Sequence, residues 1–183
     1  MKGVDIHVVR RLLPQDVSAL AHLLHGCVHG GASVGFIMPF GIDDAEEFWT
    51  GTIAPRVNAG DALLFLARAD EAVVGTVQLG LAMPANQPHR ADVAKLLVDP
   101  AWRRQGIAKA LMAALEAGAR SAAKSLLTLD TRTGDDAEPL YGSLGFTTVG
   151  VIPGYCLDPF SGALDGTTLM FKNLEAHRDD QTK

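Results

Sequence analysis

The residues best equipped for chemistry lie between Leu96 and Phe146. Leu96-Leu97-Val98-Asp99-Pro100 reads as a strand end and turn, followed by Arg103-Arg104-Gln105-Gly106-Ile107-Ala108-Lys109 where a helix opens. Amides at a helix N-terminus lack intrahelical acceptors, and the aligned peptide dipoles favour negative charge there. A basic, glycine-bearing loop in that place suits a diphosphate. One strand and one helix later comes Tyr141, a phenol that titrates near ~10 and so keeps its proton at neutral pH. Two carboxylates, Asp92 and Asp130, are candidates to take a proton or to hold a cation. Strand alternation puts Asp92 on the face of Ala94, Leu96 and Val98; its alternative is an ion pair with Arg90 or Lys95. Asp130 ends the next strand, and a plain turn role is its alternative.

The elements that must position these residues follow from periodicity. Val4, Ile6 and Val8 alternate as a strand. Pro14 opens a helix with Leu20, Leu23 and Leu24 on its apolar face, expected to end near Gly26. His29 to Pro39 reads as a loop, and Asp43-Asp44-Ala45-Glu46-Glu47 begins a second helical region, its acids complementing the helix dipole. Leu63–Ala67 and Val73–Leu79 flank Asp70-Glu71 as a hairpin, and Val93–Val98 follows the turn at Ala85–His89. Ile107, Ala110, Leu111, Ala114, Leu115, Gly118, Ala119 and Ala122 form the core stripe of a helix. Leu126–Leu129 is a short buried strand, Asp135–Leu144 a helix, and Phe146–Ile152 and Thr167–Lys172 are the last strands. The order predicts an α/β chain with a mixed, mostly antiparallel sheet of six to seven strands and helices on its faces. One domain over residues 1–174 and a polar tail over 175–183 are expected.

Composition narrows the function classes. The 183 residues are 48% hydrophobic and 20% charged, ordinary for a globular domain. A net charge of −5 without a basic stripe argues against nucleic acid. No run is apolar enough to span a bilayer, no secretory leader is seen at Met1–His7, and Cys27 and Cys156 lack metal-type spacing. A cytoplasmic location with reduced thiols is the expectation. His22, His25 and His29 have helical spacing, but no acid or cysteine completes a set, so no metal is expected.

Arg103-x-x-Gly106-x-Ala108, after Leu-x-Val-x-Pro and before Leu140-Tyr141-x-x-Leu144-Gly145-Phe146, resembles the Q/R-x-x-G-x-G/A arrangement of the GNAT superfamily of N-acetyltransferases. The segments Val28–Phe36, Leu129-Asp130-Thr131 and Pro153-Gly154-Tyr155-Cys156 resemble its tabtoxin-resistance type. The resemblance implies a GNAT fold and acetyl-CoA as acyl donor. The donor would lie in a V-shaped opening between the strand ending at Val98 and the one beginning near Leu126. The main chain of Leu96, Leu97 and Val98 would pair with the pantetheine arm, and the amides of Arg103, Arg104, Gln105, Gly106, Ile107, Ala108 and Lys109 would surround the pyrophosphate. Tyr141 matches the tyrosine that protonates the departing thiolate, and Asp92 resembles the position of a glutamate base. The asparagine often found seven residues before the tyrosine is Gly134 here, followed by Asp135.

The resulting expectation is direct acetyl transfer to a primary amine of a small, amino-acid-like toxin, antibiotic or metabolite. His29, Ser33 and Asp130 would contact it, and a strand amide near Leu97 or Val98 would stabilise the oxyanion. Direct transfer leaves Cys156 without a role as an acyl-carrying nucleophile. The rivals are a protein or peptide N-terminal acetyltransferase, which needs an open groove, and a non-catalytic acyl-CoA sensor. A homodimer is compatible with each.

Overall fold

A computed structural model describes residues 3–174. Seven strands form one sheet in the order β1-β2-β3-β4-β5-β7-β6, where β1 is Val4–Val9, β2 Ala62–Ala69, β3 Ala72–Gly80, β4 Arg90–Val98, β5 Leu126–Arg132, β6 Thr147–Leu157 and β7 Leu164–Asn173. All neighbours are antiparallel except β4 and β5, which are parallel. The fold is the expected α/β arrangement.

Alternation along β2 supplies both cores. Leu64 and Leu66 join a cluster with Leu20, Leu24, Cys27, Trp49 and Leu97, while Phe65 and Ala67 join Leu111, Leu115, Leu127 and Tyr141. The first layer contains α1 (Pro14–His29), α2 (Ile42–Glu47), a π-helical turn (Phe48–Ile53) and α3 (Ala54–Ala59). The second contains α4 (Ile107–Ser121) and α5 (Ala137–Ser143). Ile107, Leu111, Met112, Leu115 and Ala119 of α4 are buried at helical spacing, each large side chain contributing roughly 1.5–3 kcal/mol. Gly118 lets α4 approach the sheet: a β-carbon there would lie 2.7 Å from Phe65 Cζ.

Several boundaries differ from the sequence reading: β4 begins at Arg90 rather than Val93, and β5 runs on to Arg132, so Asp130 lies within the strand instead of ending it. Helix α1 continues past Gly26 to His29, because Cys27 and Val28 are buried and their packing outweighs the roughly 1 kcal/mol cost of one helical glycine. Strands β6 and β7 are longer than expected, since a bulge between Ile152 and Cys156 absorbs Pro153 and Gly154 without ending the ladder. Asp44 accepts from the Gly41 amide at 2.7 Å, the capping role expected of that acidic run. The tail from Glu175 lies outside the described residues. Among the described residues, no helix is long and apolar enough to cross a membrane.

Candidate active site

The sheet opens in its middle. Strands β4 and β5 pair only from Arg90, Ala91 and Asp92 to Leu126, Leu127 and Thr128. Beyond that point β5 stays with β7 while β4 bends away. The bend is a bulge. Thr76 faces Leu97 and Gln78 faces Ala94, so two steps on β3 span three on β4, and Lys95 takes the extra place at φ 53°. That residue reverses the parity of the strand. Leu97, paired with Thr76, shares the face of Ala94 and Asp92, whereas Leu96 and Val98 pack on the α4 side with Ala91 and Val93. The expected common face of Asp92, Leu96 and Val98 is therefore corrected: alternation holds only up to the bulge.

The end of β4 turns the Val98 main chain away from β3 and toward the opening. The Asp99 amide donates to Val74 on β3 at 3.0 Å, so the Val98 carbonyl, on the same planar trans peptide, points the opposite way. The loop to α4 follows. Arg104 and Gly106 both have positive φ, 62° and 83°. The Arg103 amide turns back to Pro100 at 3.4 Å, and the Ala110 amide is the first to bond within α4, to Gly106. Between them, no amide from Arg104 to Lys109 donates to a main-chain acceptor among the described residues. Six unpaired donors at a helix start, beside Arg103, Arg104 and Lys109, form a cradle that fits a diphosphate. The Arg103 side chain leans back on Val98 O at 3.4 Å, near Cys27, whose buried thiol bonds the same carbonyl at 3.8 Å. Burial raises the Cys27 pKa against the pull of Arg103. Arg104 crosses the opening to Asp136 at 3.1 Å in a fully exposed pair, an arrangement that contributes little and yields readily to a ligand.

Three polar side chains meet at the gap. Tyr141 belongs to the core on the α4 side, edge-on to Phe146 at 5.6 Å. Burial pushes its phenol well above the ordinary value, and the charge of Asp130 adds to the rise. No protein group among the described residues bonds its hydroxyl. Asp130 comes from the other face, since its neighbour Leu129 points into the α4-side core. Among the described residues, its carboxylate accepts one side-chain hydrogen bond, from the Thr167 hydroxyl at 3.3 Å. Lys95 rests over the rings of Phe36 and Phe48 at 5.8 and 5.6 Å. Burial lowers its pKa, against the pull of Asp130. Asp92 sits at the base of the opening with a carboxylate oxygen already taken by Arg90 and by the Thr128 hydroxyl. The ion pair with Arg90 is realised, the one with Lys95 is not.

On the α1 side, the His29 imidazole bonds Phe40 O at 2.9 Å and stacks on His25 at 4.1 Å. Its ring shapes the loop that follows. Ser33 lies 3.8 Å from Cys156 Sγ. The loop borders an open groove of about 610 Å³ lined in part by Gly35, Phe36, Phe40, Asp44, Glu47 and Phe48.

Comparison with known proteins decides the family. The model of the acetyltransferase (GNAT) domain matches residues 40–152. The chain belongs to the GNAT family. A GNAT N-acetyltransferase is an acyltransferase, so this chain is an enzyme of that type. It is 27% identical over 141 residues, 76% of this chain and 82% of the other, to an uncharacterized N-acetyltransferase in the hisH-hisA intergenic region of Azospirillum brasilense. Among solved structures it resembles yncA of Salmonella typhimurium, solved with its cofactor acetyl-CoA, at TM-score 0.76 and 18% identity, covering 97% of both chains. It also resembles the ribosomal-protein-alanine N-acetyltransferase of Brucella melitensis, at TM-score 0.75 and 20% identity, covering 93% of this chain and 99% of that one.

Sequence reasoning missed two side chains that border this opening. Arg132 bonds Asp135 at 2.8 Å, Asp158 at 3.2 Å and Gly31 O at 3.2 Å, with Asp165 at 3.5 Å. The bond that Arg132 donates to Asp135, together with all three carboxylate charges, raises its pKa. Asp135, next to the position of the usual asparagine, is thus occupied by Arg132. Lys95 was weighed only as a partner for Asp92. A lysine inside an alternating strand was a signal, but its role depends on a bulge that no local pattern announces.

Proposed function

We propose that this GNAT enzyme moves an acetyl group from acetyl-CoA directly to the primary amine of a small molecule. The observation that carries this is the joint placement of the unpaired amides of Arg104–Lys109, the parted strands β4 and β5, and the Tyr141 hydroxyl at the gap. When bound, acetyl-CoA supplies the activated acetyl group. The amides of the α4 loop would hold its diphosphate, and the edge of β4 that parts from β5, from Leu96 to Val98, would align its pantetheine arm. The Val98 amide would donate to the carbonyl oxygen as negative charge grows there. Tyr141, kept protonated by burial, would give its proton to the departing sulfur.

Asp130 is the better placed of the two carboxylates to accept the ammonium proton or hold the cation. Asp92, bound by Arg90 and Thr128, would brace the base of the opening. His29 and Ser33 would shape and line the acceptor side. The resemblance to the tabtoxin-resistance type supports an amino-acid-like acceptor. Two free thiols and the lack of a membrane-crossing helix among the described residues favour work in the cytoplasm. A row of exposed apolar residues on β6, the β6–β7 turn and the start of β7, including Val149, Val151, Phe160 and Leu164, favours a homodimer.

The groove beside Phe36 and Phe48 is open rather than enclosed, which favours a second reading, a peptide N-terminus as acceptor. Coenzyme A release measured over amino acids, simple amines and short peptides tests both. Turnover of small amines supports the first reading and turnover of peptides alone the second. Tight binding of acetyl-CoA without turnover of anything leaves only the acyl-CoA sensor.

A further inference from the structure

The bulge in β4 delivers Lys95 to the acceptor side of the opening, on the face opposite Leu96 and Val98. Its ammonium lies over Phe36 and Phe48, the two rings that also wall the groove of about 610 Å³. It makes no hydrogen bond or ion pair with any described residue. Asp130 reaches it only through space. One strand away and in register with Ala94, Gln78 is buried with an Nε2 that has no acceptor.

The energetics of this arrangement are incomplete. Partial withdrawal of an ammonium from water is unfavourable, and contact with two aromatic faces offsets only part of that. A buried amide donor left unmatched adds a further cost. Lys95 Nζ and Gln78 Nε2 are thus two donors on this face without an acceptor among the described residues, while Asp44 and Glu47 line the same groove; an oxyanion reaching Lys95 would supply the missing partner. Asp130, which has no ion-pair partner among the described residues, has the opposite preference and suits a cation.

We propose that Lys95 is a specificity-determining residue that binds a carboxylate of the acceptor, so that the acetylated amine belongs to a carboxylate-bearing molecule. This rests on the transferase reading above and deepens it. The acceptor is then held at two points: its ammonium toward Asp130 and its carboxylate toward Lys95. The two points fix which amine faces the thioester. A peptide N-terminus, whose nearest carboxyl is tied up as an amide, fits this face poorly.

The test pairs amino acids with the amines they become on losing the carboxylate: lysine with cadaverine, ornithine with putrescine, phenylalanine with phenethylamine. Rates of coenzyme A release are measured for the wild type, Lys95→Met and Lys95→Arg, with acetyl-CoA affinity by calorimetry and melting temperature as controls for folding. The expected result is a kcat/KM at least tenfold higher for the carboxylated member of at least one pair in the wild type. Lys95→Met brings both members of that pair to a similar low rate with acetyl-CoA affinity retained, and Lys95→Arg restores part of the preference. Equal use of both members by the wild type, a preference that Lys95→Met keeps, or acetyl-CoA binding without acetylation of any amine in the panel would overturn the proposal. Failure to bind acetyl-CoA would bring down the transferase reading itself, and this one with it.

Discussion

Asp130 and Tyr141 approach from opposite layers of the protein and sense one another through the break between β4 and β5. The phenol is buried and beside a negative charge, so both influences keep its proton on. Tyr141→Phe should lower kcat by on the order of 100-fold, the usual scale of a lost general acid, with calorimetric affinity for acetyl-CoA unchanged. A variant with near-normal kcat would remove Tyr141 from the chemistry.

The same shift has a direction in pH. Tyr141 is held above its ordinary ~10 in the folded state, so its stabilisation is fully present below about pH 10 and drains away as pH climbs toward the folded value. Melting temperatures of the wild type should therefore fall faster above about pH 10 than those of Tyr141→Phe. Parallel curves would contradict the burial argument.

Gly106 sits at φ 83° among the unpaired amides of the loop. A β-carbon there costs roughly 1–2 kcal/mol in a left-handed conformation and crowds the approach of a phosphate. Gly106→Ala should weaken acetyl-CoA binding by about tenfold in calorimetry, with acceptor KM little altered. Unchanged affinity would mean that the diphosphate lies elsewhere.

Gly118 and Phe65 meet too closely to admit another atom. Gly118→Ala should destabilise the protein by about 1–3 kcal/mol, the usual penalty of overpacking, and Phe65→Leu in the same chain should recover much of the loss in a double-mutant cycle. Strict additivity in denaturant melts would show that the two do not share this contact.

Arg132 joins the acceptor loop, through Gly31 O, to the start of α5 and the β6–β7 hairpin. Arg132→Met should raise acceptor KM by on the order of tenfold, equivalent to about 1.4 kcal/mol, while leaving acetyl-CoA affinity in place. A change confined to acetyl-CoA binding would contradict the role assigned to that junction.

Much of the fold was legible because its signals are local. The stripe on α4, the alternation in β2 and the Asp70 turn each declare themselves within a few residues. The donor side was legible for the same reason, since the loop from Arg103 to Lys109 and the helix it opens are contiguous. The acceptor side was not. Lys95 depends on a register shift against β3, Arg132 on Asp158 and Asp165 from a distant hairpin as well as on nearby Asp135, and the parity of Asp92 on a bulge downstream of it. Periodicity assumes an unbroken ladder, and here the ladder is broken where it matters.

The inserted place at Lys95 has a consequence for how such an enzyme can change. The bulge keeps Lys95 on the face opposite Leu96 and Val98, so drift in what the catalyst accepts need not disturb how it grips the acyl carrier. A lineage could retune its choice of amine by editing Lys95, Phe36 and Phe48 alone, with the other half of the machine inherited intact.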